Sequence, residues 1–375
     1  MTTVVVAGAL ASKPGNAGNA WTRLTWAASF AQLGFDVWLL ERLAHPIDAE
    51  ARAWTESILD AHGLAGRAVV VGPGDDVVVG PPLAGLEEAL ASAALLFDIG
   101  GHLGTTGLGA LPKTRAFLDD DPGFTQMWEA ADSPGSRLAD HDLHLTYGLN
   151  IGRPECPVPT VGRVWHPVLP PVLLDAWPFQ PPTDAAPFTT VATWRSPFGC
   201  VSLNGVTYGL KHHEFRKVLP LPTLVDAAFE VALDIHPGDA ADLHQLRRWG
   251  WTVVNPRRVA VDTAAYRHFV RSSAAEFSPA QGVYAHAGTG WVSDRTACYL
   301  ASGRPALVQD TGASSTLPMG EGLVPYLDVE EAAVQAARLL DDLDVHAHAA
   351  RRLAEEHFDG AKVASRVCEL AQVAP

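Results

Sequence analysis

Residues 288–312, GTGWVSDRTACYLASGRPALVQDTG, hold the pattern most suited to chemistry: a polar helix start, small helical residues, a Gly-Arg-Pro turn, an apolar strand and an acid. A helix opening near Trp291 or Ser293 aims unpaired N–H groups and its positive dipole end at whatever lies ahead of it, an arrangement suited to a phosphate. Trp291 either stacks on a ligand or packs. Ser293 and Asp294 are strong N-cap residues and serve the helix with or without a ligand. Arg295, in the first turn, reaches a phosphate oxygen or pairs with Asp294. Asp310, followed by Thr311, stands at a strand's carboxyl end, where open α/β sheets bind ligands.

Other polar groups fall into three sets. Arg195 follows a strand at Thr189–Thr193, and Lys211 lies beyond the next loop beside His212, His213, Glu214, Arg216 and Lys217, a density that favours a polar site over scattered surface charge. Near the amino terminus, SKPGNAGN (residues 12–19) joins the first strand to the first helix; Gly15 and Gly18 permit close backbone approach, and Asn16 and Asn19 cap the helix or bind hydroxyls. Strand ends also present Asp98 with His102 in FDIGGH, and Asp119, Asp120 and Asp121 in FLDDDPGF. Crowded carboxylates raise one another's pKa, which suits a general base, and such a run is as often a solvated loop. Tyr147, Asn150 and His166, before the proline-rich stretch, offer contacts to an acceptor against a structural default; Trp194 flanks the same site as Trp291 with packing as its default, and His236, at a strand end, is a reserve candidate. Glu41 ends the second strand about 20 residues past the Gly-rich loop, as a ribose-binding acid would. Gly8, Gly15 and Gly18, however, do not make G-x-G-x-x-G.

These groups need a scaffold. The length of 375 residues exceeds one ordinary core and predicts two domains. With 47% hydrophobic and 18% charged residues the chain folds rather than remaining disordered. A net charge of −15 argues against nucleic acid as a partner. Cysteines 156, 200, 298 and 368 have no paired spacing, which fits a reducing cytoplasm better than a disulfide framework or zinc site. No apolar run reaches the ~18 residues of a membrane span, leaving a soluble or peripheral protein. MTTVVVAGALA reads as a first strand, not a signal peptide.

Strand and helix patterns alternate along the first half: Val4–Ala7, a helix carrying Trp21, Leu24, Ala28 and Ala31 and ended by Gly34, then strands at Val37–Leu40, Ala68–Val71, Leu95–Ile99 and Arg115–Leu118. Dense proline follows between Pro154 and Pro187, with a boundary expected near Phe179–Ala186. The second half reads as strands at Thr189–Thr193, Phe229–Ile235, Trp251–Val254, Gly282–Ala285 and Ala306–Gln309, with helices at Asp239–Trp249 and Ala264–Arg271. Three helices, Val329–Leu343, Val345–His357 and Lys362–Val373, close the chain. The expected domains are 1–180, 187–355, and a helix over 356–375 that packs toward the first domain. The fold class is α/β.

Gly303-Arg304-Pro305 with the strand to Gln309-Asp310, Arg195 and Lys211, and the tail ARRLAEEHFDGAKVASRVCEL together resemble the nucleotide-sugar glycosyltransferases of GT-B fold, family-4-like in the donor half. The resemblance covers most of the chain in organisation and is specific mainly in residues 189–312. It implies two Rossmann-like domains facing a central cleft with carboxyl-terminal helices crossing back. It also implies a hexosyltransferase-like enzyme of biosynthesis that carries a sugar from a nucleoside diphosphate, UDP or TDP, to a natural-product or cell-envelope acceptor. Arg195, Lys211, Gly290, Trp291, Ser293, Asp294, Arg295, Asp310 and Thr311 would hold the donor, and Gly15, Asn16, Gly18 and Asn19 would line the acceptor side. Transfer needs a base; Asp121 is favoured, with Asp98 and His102 behind it. Where retaining members carry two glutamates eight positions apart, this chain has Gly290 and Cys298, with Glu276 and Asp294 the nearest carboxylates, so stereochemistry stays open. With two cations and a helix start against the diphosphate, no catalytic metal and no bound cofactor are expected. A nucleotide-sugar 2-epimerase of the same fold, a non-catalytic nucleotide-sugar-binding protein and, last, an NAD(P) oxidoreductase are the alternatives.

Overall fold

The computed structural model describes residues 1–133, 137–138, 141–183, 185–196 and 198–375. Two compact units divide the chain: residues 1–147, 160–173 and 359–375 form the first, and residues 148–159 and 174–358 the second. The division falls at four places, where the expected domains 1–180, 187–355 and 356–375 had two; the expected linker near Phe179–Ala186 includes Asp184, which lies outside the described residues.

In the first unit, β1 (Thr3–Ala7), α1 (Ala17–Gln32), β2 (Asp36–Arg42), α2 (Ala49–Ala61), β3 (Ala68–Val71), β4 (Val77–Val79), α3 (Leu83–Ser92), β5 (Leu95–Ile99), β6 (Arg115–Asp119), α4 (Phe124–Ala130), β7 (Leu143–Thr146) and β8 (Trp165–Pro167) build one sheet. Its order is β4-β3-β2-β1-β5-β6-β7-β8, parallel except that β4 runs antiparallel to β3. The near-continuous apolar runs of β1, β3 and β5 are buried, as strands covered on both faces must be. Asn16 caps α1 by accepting from the Asn19 backbone N–H at 3.1 Å, and Gly34 takes a positive φ just beyond the helix end. Trp26 on α1 is fully buried and donates to the Tyr147 hydroxyl at 2.9 Å, which gives Tyr147 a structural role. The strand order reverses between β1 and β5, so the loops after these strands flank the topological switch point.

The second unit runs β9 (Phe188–Thr193), β10 (Val201–Leu203), β11 (Val206–Tyr208), α5 (Lys211–Lys217), β12 (Phe229–Asp234), α6 (Ala240–Arg248), β13 (Thr252–Val254), α7 (Pro256–Val259), α8 (Thr263–Arg271), β14 (Ala275–Ser278), α9 (Gly282–His286), α10 (Asp294–Ala301), β15 (Ala306–Gln309), β16 (Leu323–Tyr326), α11 (Val329–Asp341) and α12 (Leu343–Leu353). Its main sheet is wholly parallel in the order β13-β12-β9-β14-β15-β16, while β10 and β11 pair as a separate ribbon. Phe188 stacks on Phe229 and Phe277 on Tyr326 in its core. The order reverses between β9 and β14, so the second switch point lies beside α10. Finally α13 (Gly360–Ala371) returns to the first unit and packs on α1, where Gly360 is needed because a Cβ there would stand 2.3 Å from Ser29 Oγ.

Gly282–Ala285, expected as a strand, is instead the helix α9, and the strand lies earlier, at Ala275–Ser278. Gly282 starts α9 by donating its N–H to Gly209 O at 2.9 Å, an approach only a glycine permits. Strands β4, β7, β8 and β16 are three or four residues long and carry too little pattern to read from sequence. Among the described residues no helix is long and apolar enough to cross a membrane.

Candidate functional site

At the second unit's switch point the stretch 288–312 forms one hydrogen-bonded constellation. Ser293 caps α10, its hydroxyl accepting from the Arg295 N–H at 3.2 Å, and Asp294 Oδ1 accepts the same N–H at 2.8 Å. Gly290 adopts φ +74° and donates its N–H to Thr311 O at 2.7 Å; a Cβ on it would lie 2.9 Å from that of Leu149. Thr311 Oγ1 donates to Trp291 O at 2.7 Å, and the indole of Trp291 lies against Tyr284 with centroids 4.5 Å apart. Asp310 Oδ1 accepts from the Gly312 N–H at 2.8 Å. A small cleft runs along this edge, lined by Ser278, Trp291, Ser293, Thr296, Gln309 and Thr311 among others. Thr296 Oγ1 is buried there without a partner. Of the expected donor residues, Gly290, Trp291, Ser293, Asp294, Asp310 and Thr311 are therefore brought together.

Arg295 belongs to the same turn and points elsewhere. Its guanidinium donates to Glu276 Oε1 at 2.6 Å, Val191 O at 2.9 Å and Ser278 Oγ at 2.7 Å, tying α10 to β9 and β14. The side chain is 10% exposed and that of Glu276 fully buried. Burial opposes the cation, but the Glu276 carboxylate raises the Arg295 pKa still further above its ordinary value. Cys298 faces the core, and burial drives its thiol pKa well up. Neither Glu276 nor Cys298 is exposed to a ligand.

Lys211 opens α5, its backbone N–H donating to Gln281 Oε1 at 2.6 Å. Glu214, one turn on, is buried and holds Lys217 Nζ at 2.8 Å, His286 Nε2 at 2.9 Å and Gln309 Nε2 at 2.9 Å. Burial alone would raise its pKa, yet these partners hold it below the usual carboxylate range. Gln309 also accepts from the Ala280 N–H at 3.0 Å, so Gln281 and Gln309 fasten Lys211's helix to the loops beside α10. Arg195 stands just past β9, half exposed, and grips Asp239 with Nε at 2.9 and 2.8 Å and Nη2 at 2.6 Å. Trp194, buried, donates to Asp242, which also holds Arg216. His212 is packed beside this group, and burial, His213, Arg216 and Arg195 push its pKa down to about 4.

Asn150 reaches into the constellation as well. Its side-chain amide donates to Gly288 O at 2.9 Å and Gly312 O at 3.0 Å, and its oxygen accepts from Ser315 Oγ at 2.9 Å. Sequence offered Asn150 as an acceptor contact; it is a clamp on the two loops that bracket α10. His236 is exposed and caps the short turn that follows it, accepting the Gly238 N–H at 3.0 Å.

In the first unit, Glu41 fills the Gly-rich loop with its own carboxylate. Oε2 accepts from the Leu10 and Ala11 N–H groups at 2.7 and 2.5 Å, and Oε1 from the Ser12 N–H and hydroxyl at 3.1 and 2.5 Å. These contacts occupy it and leave none for a ribose. Asn19 donates to Ala9 O at 2.7 Å, bracing the same loop; Gly15 takes φ +72° with open space beside it, and Gly18 O accepts from Thr22.

Asp98 is fully buried, accepting from the Leu103 and Gly104 N–H groups at 3.2 and 3.0 Å and pairing with His141 Nε2 at 3.2 Å. Asp119 is buried too and accepts from Thr125, Gln126 and Thr146; burial nevertheless pushes its pKa up to about 7. Asp120 is partly exposed and meets Arg23 at 3.3 Å, and Asp121 is exposed. His102 receives a hydrogen bond from Arg137 Nη1 on Nδ1 at 2.7 Å. A guanidinium only donates, so the neutral ring carries its hydrogen on Nε2 and offers a donor rather than a base there. Burial and the charges of Arg23, Arg137 and Lys13 push the His102 pKa down to about 3. Among the described residues no group of three or more His, Cys, Asp or Glu is arranged to hold a metal ion.

No protein-family model matches the sequence, and comparison with the curated proteins finds no match. Among solved structures the chain is similar over nearly its whole length to several glycosyltransferases of GT-B fold. Sucrose-phosphate synthase from Thermosynechococcus elongatus is 14% identical, with 99% of this chain and 98% of that one covered and a TM-score of 0.56. HepE from Anabaena in complex with UDP-glucose is 12% identical over 99% and 100%, with a TM-score of 0.61. An alpha-glucosyltransferase (AGT) in complex with UDP is 9% identical over 99% and 100%, with a TM-score of 0.63. At these identities the likeness establishes the fold: two α/β units of the GT-B kind.

Proposed function

We propose that this chain is a hexosyltransferase that moves a sugar from a nucleoside diphosphate, UDP or TDP, to a small-molecule or cell-envelope acceptor in the cytoplasm. The observation that carries the reading is the start of α10 at the switch point of a parallel sheet, with Ser293, Thr311 and the Gly290 turn arrayed around it. The GT-B fold and the UDP complexes of HepE and AGT support it.

The diphosphate lies against the α10 N–H groups, with Lys211 and the Asp239-held Arg195 supplying charge, so departure of the nucleotide needs no metal. The oxygen of Asp310 that Gly312 does not engage accepts from a sugar hydroxyl, and Trp291 flanks the donor. Asp121, the exposed carboxylate after β6, takes the acceptor proton as the acceptor oxygen bonds the anomeric carbon and the bond to the diphosphate breaks. Asp98 and His102 act behind it, Asp98 by holding the 103–104 turn and His102 as a hydrogen-bond donor. Gly15, Asn16, Gly18 and Asn19 shape the acceptor loop.

A thermal-shift panel of UDP, TDP, GDP, NAD and NADP tests the reading, with donor turnover followed in EDTA. Stabilisation by a nucleoside diphosphate and metal-free donor consumption are expected; stabilisation by NADP alone sinks it. Turnover of the nucleotide sugar without acceptor would instead identify an epimerase, and binding with neither transfer nor slow hydrolysis a non-catalytic binder.

A further inference from the structure

Gln309 ends β15 and, half-buried, borders the cleft at the α10 start together with Trp291, Ser293 and Thr311. Both ends of its amide are engaged. Oε1 accepts from the Ala280 N–H at 3.0 Å, and Nε2 donates to Glu214 Oε2 at 2.9 Å. The two contacts leave the amide one orientation, because turning it over would set its NH2 against an N–H and its oxygen against a carboxylate. An amide nitrogen carries two hydrogens, and the second one on Nε2 has no acceptor among the described residues. The cleft is the open space that this side chain borders.

Glu214 stands behind Gln309. It lies on α5, 95 positions earlier in the chain, is buried, and is not among the residues lining the cleft. A buried carboxylate is costly unless donors meet it. Lys217 Nζ stands 2.8 Å from both of its oxygens, His286 Nε2 2.9 Å from Oε1, and Gln309 Nε2 2.9 Å from Oε2. Burial raises its pKa, but these donors hold it below the usual carboxylate range, so at neutral pH the group is an anion and only accepts. Lys217 and His286 are about half exposed and open to water, whereas Gln309 is the partner that borders the cleft. Since Lys211 opens the same helix, Glu214 also sets where that helix stands relative to Gln309.

We infer that Glu214 is a positioning residue of the donor cleft: it touches no ligand, and by holding Gln309 Nε2 it turns the second amide hydrogen of Gln309 toward an oxygen of the nucleoside diphosphate sugar. The assignment of that oxygen to a donor rests on the transferase reading. Gln309 is then the group that touches the ligand. The reach of the Glu214 side chain, rather than its charge, sets the angle at which the hydrogen is presented.

Calorimetric titration of the full chain with UDP, TDP and their glucose conjugates tests this in four variants. Gln309→Met keeps the volume without the donor and should weaken binding about fivefold or more, the worth of one hydrogen bond. Glu214→Asp keeps the charge but draws it back by one methylene, and should weaken binding to a similar degree. Glu214→Gln loses the charge but keeps an oxygen at full reach, its NH2 facing a neutral His286, and should recover most of that loss. In Glu214→Asp/Gln309→Met the two losses should not multiply, since one acts through the other. Weakening of a nucleotide and its conjugate alike assigns the oxygen to the diphosphate; weakening of the conjugate alone assigns it to the sugar. Parent-like binding in Gln309→Met, weaker binding in Glu214→Gln than in Glu214→Asp, or losses that multiply overturn the inference. A parent that binds none of the four ligands removes the donor reading and this inference with it, whereas a parent that binds, with variants that behave otherwise than stated, removes this inference alone.

Discussion

Replacing Arg295 separates an anchoring role from a ligand-binding one. Its three donors are taken by Glu276, Val191 O and Ser278, of which only Ser278 lines the cleft. Arg295→Met keeps most of the stem volume but strands the fully buried Glu276 carboxylate, whose Oε2 has no hydrogen-bond partner even in the parent. Removing one member of a buried pair costs about 3–5 kcal/mol. In a unit of this size each kcal/mol lowers Tm by roughly 2–4 °C, so a drop of about 6–20 °C is expected. Glu276→Leu should cost a similar amount by leaving the cation inside. The double variant Arg295→Met/Glu276→Leu removes both charges and should recover most of the loss, giving a coupling of several kcal/mol in a double-mutant cycle. Thermal and urea unfolding followed by circular dichroism, without nucleotide, measures it. A loss under ~1 kcal/mol for Arg295→Met, or a double variant as unstable as the sum of the singles, would refute the reasoning.

Asp119 gives a pH signature: its folded pKa of about 7 lies above the unfolded 3.8, so its contribution is fully present below pH ~4 and disappears as pH rises through 7. That amounts to at most ~4 kcal/mol, and Asp119→Asn should flatten the decline in unfolding free energy between pH 5 and 8. Glu41→Ala deprives four donors of their acceptor and should cost about 3 kcal/mol, read as a lower urea midpoint. Arg195→Ala, at a half-exposed side chain, should weaken UDP binding about tenfold or more in calorimetry while leaving Tm nearly unchanged. Asn150→Ala frees two loop carbonyls and should raise UDP Kd and lower Tm together, by a few degrees.

What sequence could read follows from how far each signal extends. The strands β1, β3, β5 and β15 announce themselves because their apolar runs are local, β9 because β-branched residues fill it, and the Ser293 cap because its partner is two residues away. The roles of Glu41, Asn150 and His141 depend on partners up to 165 positions distant, which no window of sequence contains. For Arg295 the one protein partner that sequence offers, Asp294, is its neighbour in the chain. Its real partner, Glu276, comes from the adjacent strand, and pairing there needs the βαβ crossover to be known first. Gly282–Ala285 misled for the opposite reason: a short apolar run reads alike as strand or helix, and only the close approach of Gly209 decides.

The first unit is assembled from three separated stretches of chain, the last of them α13, which settles on α1 through the Gly360–Ser29 approach. During synthesis the ribosome must therefore deliver the whole of the second unit before the first can be finished. Until then the α1 surface that α13 covers is exposed on the nascent protein. The second unit in turn uses 148–159, made before the rest of it, whose Asn150 stays without its loop partners until residues 288 and 312 are made. Cutting the gene at any single point leaves at least one unit without a piece of itself, so the two halves should be obtainable in soluble form by coexpression and not singly.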